Sequence, residues 1–174
     1  MEYEFTLKFK LPPSDTNTEE VVERLAAAGC TDALVGIGQP GRIALNFTRD
    51  VDSAETAVIG ALKDVKSAIP EAKLLEVRPD YVGLTDVAEL IGVTRQNMRK
   101  LMLAHSESFP AAVHEANAAM WHLASVLQWL KERGGYRIEQ SLLDVAYIAM
   151  QINLAKEAGQ LEQRLRREVR ALVA

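Results

Sequence analysis

From Glu2 to Lys10 apolar and polar residues alternate, with Tyr3, Phe5, Leu7 and Phe9 on one side and Glu4, Thr6, Lys8 and Lys10 on the other. A period of two sustained over that length predicts a half-buried strand. Pro12-Pro13-Ser14-Asp15 breaks it. The spacing then becomes helical. Thr18 is the expected N-cap, Glu19 and Glu20 suit the positive end of the helix dipole, Val21, Val22, Leu25 and Ala26 form the inward stripe, and Gly29 suits the C-terminal cap. Two short apolar runs follow, Ala33 to Ile37 and Ile43 to Phe47. Gly38-Gln39-Pro40-Gly41 lies between them and signals a hairpin. Asp52 or Ser53 caps a second helix. Its apolar positions Ala57, Val58, Ala61, Leu62, Val65 and Ile69 recur at helical spacing until Pro70, and Lys73 to Arg78 is the last strand. The order β-α-β-β-α-β predicts a split βαβ, ferredoxin-like module over residues 1–79. That fold hosts sensors, dimerisation modules, RNA binders and enzymes, so it assigns no function by itself.

The hairpin also spells GxGxxG, as Gly36-Ile37-Gly38-Gln39-Pro40-Gly41. A dinucleotide site needs those glycines between a strand and a helix, so that helix amides face the pyrophosphate. Here a strand follows and Pro40 removes an amide donor, so the glycines are read as a turn.

After Pro79-Asp80 the pattern is helical again. Thr85 is the expected N-cap of a helix with Val87, Ala88, Leu90 and Ile91 on its apolar face. Gly92 follows, where a sharp turn needs a left-handed residue, and Val93 plugs the corner. Thr94 caps a second helix, Thr94 to Ala104, which buries Met98, Leu101 and Met102. Small Ala88 permits a close crossing, so the spacing is that of a helix-turn-helix. The outer side of the second helix carries Arg95, Gln96, Asn97, Arg99 and Lys100, and no acid occurs between Glu89 and Glu107. Arginine suits guanine, Asn and Gln suit adenine, and Lys or Arg suits phosphate. Arg95, Gln96, Asn97 and Arg99 are therefore the expected base-reading residues. Thr85, Thr94 and Lys100 are the expected holders of the DNA backbone, Thr94 through its hydroxyl and the free amides of the helix N-terminus.

The next residues suggest a wing: Phe109-Pro110, then Ala112-Val113-His114, a Glu115-Ala116-Asn117 turn in which Asn117 can take positive φ, and Met120-Trp121. A third helix, Leu123 to Arg133, is anchored by Val126, Leu127, Trp129 and Leu130, and Gly134-Gly135 ends it. Residues 80–134 thus resemble the winged helix-turn-helix of the MerR and excisionase (AlpA-like) superfamily. The turn glycine, the basic second helix, the Phe-Pro entry, the hairpin ending in Trp121 and the Trp129-Leu130 helix carry that resemblance. It implies major-groove reading by the helix from Thr94 and backbone contact from the wing. The wing turn departs from the often basic pattern, holding Glu115 and no Lys or Arg, which leaves His114 as its backbone-contacting residue.

Residues 135–174 read as a helical dimerisation segment. From Glu139 onward there is no proline and the only glycine is Gly159. Leu142, Val145, Ala149 and Ile152 recur at helical spacing. Leu154, Ala158, Leu161, Leu165, Val169 and Leu172 continue it with a shift that suggests a break near Gly159 or two faces used in turn. A helix of about 35 residues spans roughly 50 Å. On so small a chain, pairing with a second copy is the expected way to bury its stripe. Effector-responsive members of the resembled superfamily also dimerise through a helix after the winged domain. Arg164, Arg166, Arg167 and Arg170 pair with Glu162 and Glu168 or graze phosphates.

Charge and composition narrow the classes. The chain has 174 residues with 48% hydrophobic and 25% charged, which excludes wholesale disorder. Its net charge of −4 argues against nonspecific polyanion binding. Residues 1–78 hold 13 acidic and 9 basic side chains, so the acidity sits away from the basic helix. No membrane span or signal peptide is predicted, and the single Cys30 suits a reducing cytoplasm. His105, His114 and His122 do not stack on one helix face, so no metal site is expected. Ser106 and Ser108 beside His105 have no orienting acid, and the third strand, Arg42 to Phe47, lacks the alternating aromatics that stack bases. The expected protein is a cytoplasmic, cofactor-free, non-enzymatic reader of double-stranded DNA, a dimeric transcriptional regulator on an inverted repeat. The alternatives are an antitoxin-like or phage-type autorepressor whose N-terminal module binds a protein partner, and an interaction adaptor that never touches DNA.

Overall fold

A computed structural model describes residues 1–173 as a mixed α+β chain. Strand β1 (Glu2–Lys10) is the alternating segment, and its odd-numbered apolar residues are buried. Helix α1 (Thr18–Ala27) follows. Strands β2 (Ala33–Gln39) and β3 (Arg42–Asp50) form the hairpin, turning through Pro40 and Gly41, whose φ is +72°. Helix α2 (Ala54–Ala68) and strand β4 (Lys73–Arg78) complete the module. The strands make one antiparallel sheet in the order β2-β3-β1-β4. Phe5 lies opposite Phe47 across β1 and β3, their rings stacked at 5.2 Å. The face bearing Tyr3, Phe5, Leu7 and Phe9 packs against Val21 and Leu25 of α1 and Ala57, Val58, Ala61 and Val65 of α2.

Local details shift some expectations. Asn17 rather than Thr18 caps α1. Its Oδ1 accepts from the Glu19 amide at 3.1 Å while its Nδ2 donates to Glu20 at 2.9 Å. Of the expected α1 stripe only Val21 and Leu25 are buried, and Val22 and Ala26 face solvent, because the helix touches the sheet along a narrow line. Ser53 caps α2, accepting from the Thr56 amide at 3.1 Å.

Strand β5 (Tyr81–Val82) then leads into helices α3 (Leu84–Ile91) and α4 (Arg95–Ala104). After a hairpin, strand β6 (Trp121–His122) pairs with β5 and runs into helix α5 (Leu123–Arg133). These elements enclose a second core of Val82, Val87, Ala88, Met98, Phe109, Trp121, Leu127 and Leu130.

The C-terminal region is not one continuous helix. Helix α6 (Gln140–Ala158) stops at Gly159, and helix α7 (Gln163–Arg170) begins after the Glu162 cap. Helix α6 is buried by its own chain. Val145 and Ala149 enter the sheet core, while Leu143 and Ala146 enter the second core, so one helix walls both. The inward stripe of α6 thus has partners within its own chain, whereas Leu154, Leu161 and Leu165, expected to continue it, are exposed. Among the described residues no helix is long and apolar enough to cross a membrane.

Helix α6 also seals the β4 edge of the sheet. Asn153, fully buried, accepts from the Val77 amide at 2.9 Å and donates to the Val77 carbonyl at 2.8 Å, as a neighbouring strand would. Lys156 donates to the Leu75 carbonyl beside it. The Asn153 amide further donates to Asp80 at 2.8 Å. Asp80 is 1% exposed, and its other oxygen accepts from His122 Nδ1 at 2.7 Å. A sheet edge, α6 and β6 are thereby held by one buried polar chain.

Candidate nucleic-acid interface

Helices α3 and α4 meet at a corner whose backbone explains its residues. The Val93 amide donates to the Ala88 carbonyl at 2.9 Å and the Gly92 amide to the Glu89 carbonyl at 3.3 Å. That bond pair, with Gly92 at φ +72°, is a Schellman ending, and it requires a residue that tolerates left-handed backbone. The turn expected at Gly92 is present. The cap expected at Thr85 is not. Helix α3 begins at Leu84 with Gly83 as N-cap, because the Asp86 carboxylate reaches back to accept from the Gly83 amide at 2.7 Å. Thr85 is an exposed first-turn residue beside that carboxylate, an unfavourable neighbour for a phosphate. Leu90, expected on the buried face, is 45% exposed; Val87 and Ala88 carry the contact.

Thr94 caps α4 as expected, its Oγ1 accepting from the Asn97 amide at 3.1 Å. The first turn of α4 holds no acid, so the positive end of its dipole is uncompensated. Met98 is fully buried and Leu101 and Met102 are half-buried, which fixes the rotation of the helix. Arg95, Gln96, Asn97, Arg99 and Lys100 are all exposed. Among the described residues none of the three cations here forms an ion pair.

Residues advance about 100° each around a helix. With Met98 pointing inward, Arg95, Arg99, Leu103, Gln96 and Lys100 succeed one another along a single outward arc. Asn97 follows Lys100 by about 60° and lies no farther from the outward direction than Arg95 does, so all five expected residues share the exposed side of α4. Leu103 was not among the expected site residues. It is 60% exposed in the middle of the arc. An isolated apolar residue on an otherwise charged helix face was the available signal, since a thymine methyl takes such a contact.

The segment after α4 is firmly tethered. Phe109 packs edge-on against both Trp121 and Trp129, at 6.0 and 5.1 Å between ring centroids. Trp121 Nε1 donates to the Pro110 carbonyl at 3.0 Å and Trp129 Nε1 to Ser108 at 3.3 Å. The hairpin expected at residues 112–121 closes through Val113 and Met120, with an amide-to-carbonyl bond of 2.8 Å. His114 bridges Met120 and is exposed beside Glu115. Asn117 does not take positive φ; among the described residues only glycines do, because the turn here is wide enough to close without it.

The remaining titratable groups are structural. His122 is held by Asp80, and His105 lies against the Trp129 ring at 5.9 Å. Arg49 pairs with Asp32 at 2.6 Å and Asp64 at 2.7 Å. Burial pulls its guanidinium down, but the hydrogen bonds to the two carboxylates outweigh this and leave it above its ordinary pKa. Cys30, beside this cluster, is pushed up to about 11 by burial and then by Asp64. A raised thiol of this kind is a poor nucleophile. Among the described residues no three His, Cys, Asp or Glu side chains converge on a metal position.

No family model, no curated protein and no solved structure matches the chain.

Proposed function

We propose that this chain is a sequence-specific double-stranded DNA-binding protein, acting as a transcriptional regulator. In this reading α3, α4, the 112–121 hairpin and α5 form a winged helix-turn-helix resembling the MerR and excisionase superfamily. Residues 1–78 form a ferredoxin-like module joined to it through α6. Helix α4 lies in the major groove. Arg95, Gln96 and Arg99 read base edges, Leu103 meets a thymine methyl, and Lys100 and Thr94 hold phosphates.

The observation that carries the reading is the exposed side of α4, where three unpaired cations and two amides surround one apolar residue with no acid interspersed. An ordinary solvated helix mixes both signs, and an adaptor surface has no need of uncompensated charge at a helix N-terminus. Asn97, at the edge of the same exposed side, reads with Arg95, Gln96 and Arg99; Thr85 stands beside the Asp86 carboxylate, which disfavours a phosphate there, and His114 is the hairpin's phosphate contact.

Selection of bound duplexes from fragmented genomic DNA, followed by titration with variants, tests the proposal. Arg99→Ala is expected to weaken the selected site by about 1–3 kcal/mol and to relax discrimination at one base pair. Lys100→Ala is expected to weaken selected and scrambled duplexes alike and to flatten the salt slope by about one unit. Equal losses on both duplexes for every α4 variant would reject base reading.

A further inference from the structure

The two edges of the sheet are treated differently. The β4 edge is sealed by Asn153 and Lys156. The β2 edge is bare: β2 is terminal in the strand order, and apart from the Ala33 amide, which donates to the Cys30 carbonyl, no backbone bond from Ala33–Gln39 reaches anything but β3 among the described residues. Its sequence, Ala-Leu-Val-Gly-Ile-Gly-Gln, contains no charge and no proline, and the only edge-protecting device it carries is the irregularity between Gly36 and Gln39. The ladder to β3 also loses register after Gly36, which frees Ile37 and Gly38 from that side. Leu34 stands 77% exposed on the open sheet face, and Ile37 is exposed on the other.

We infer that the β2 edge is a dimer seam, pairing antiparallel with β2 of a second copy to make one eight-stranded sheet. The strand fits itself. A two-fold axis through Gly36 sets Val35 against the partner's Ile37, and Leu34 over the glycine at the partner's position 38. A two-fold through Val35 instead sets Leu34 over the glycine at the partner's position 36. In either register no charge opposes a like charge, and glycine leaves room for the leucine. The seam goes beyond the DNA-binding reading and does not depend on what α4 binds. It replaces the C-terminal helix as the contact between copies.

Sedimentation equilibrium on the full chain, over a series of concentrations and without DNA, is the test. The wild type is expected to dimerise. Leu34→Lys with Ile37→Lys alters only exposed side chains and is expected to raise the dimer dissociation constant at least about tenfold with an unchanged circular dichroism spectrum. Leu161→Lys with Leu165→Lys, on the exposed C-terminal segment, is expected to leave the dimer intact. A wild type that stays monomeric overturns the inference, as does dissociation by the C-terminal pair but not by the strand pair. Duplexes carrying a single half-site keep the two proposals apart. The strand variant should still bind them, whereas Arg99→Ala should lose them while remaining dimeric.

Discussion

Replacing Asn153 by alanine removes the side chain that ties β4 to α6 and to Asp80. Three hydrogen bonds disappear: one from the Val77 amide, one to the Val77 carbonyl and one to Asp80. All three lie in a region closed to solvent, so the Val77 amide and carbonyl and one Asp80 oxygen lose their partners. A buried polar group left unsatisfied costs about 1–3 kcal/mol, more for a charged one. Alanine returns about 0.5 kcal/mol in helix propensity, and water entering the vacated space recovers part of the rest. The expected destabilisation is about 3–5 kcal/mol, large against a typical total of 5–15 kcal/mol. Urea unfolding followed by tryptophan fluorescence and by circular dichroism measures it. Trp121 and Trp129 both lie in the second core, so their fluorescence reports that body. If α6 is the shared wall described above, the two probes should separate in the variant, and amide exchange should accelerate in α6 and β4 together. A loss below about 1 kcal/mol with α6 still protected would refute the reasoning.

Two further outcomes follow from local geometry. The Cys30 thiol is raised to about 11 when folded against 9.0 for the free group, so its contribution to stability is complete below about pH 9 and lost as pH rises toward 11. Cys30→Ala should therefore show a flatter decline over that window than the wild type in melts at stepped pH; parallel declines would show that the thiol is not the cause. Gly92→Ala forces a β-carbon into left-handed backbone at φ +72° and should destabilise by about 1 kcal/mol, visible as a lower urea midpoint at unchanged slope. A neutral result would mean the corner opens without consequence.

Where one face of an element meets the core, its pattern is readable along the chain. Tyr3, Phe5, Leu7 and Phe9 alternate because β1 is buried on one side only, and Met98, Leu101 and Met102 set the rotation of α4 for the same reason. Helix α6 resisted such reading because it is buried on two sides: Val145 and Ala149 point to one core, Leu143 and Ala146 to the other. Its residues therefore resemble a stripe that needs an outside partner. Asn153 looks like a surface residue until the bare backbone of β4 is placed beside it. The capping of α1 and α3 turned on neighbours of equal chemical promise, decided by Glu20 accepting from the Asn17 side chain and Asp86 from the Gly83 amide. Asp80 and His122 meet across 42 positions of sequence, beyond any local periodicity. On α4 the cationic residues could be named from sequence. That Leu103 sits among them required the inward direction of Met98.

The most direct measurement is the map of amide shifts when a selected duplex is titrated into isotopically labelled protein. The account predicts that shifts concentrate at Thr94 to Lys100, extend to Leu103 and the His114 hairpin, and spare β1 and α2. Shifts centred on residues 1–78, or none at all with any duplex, would contradict it.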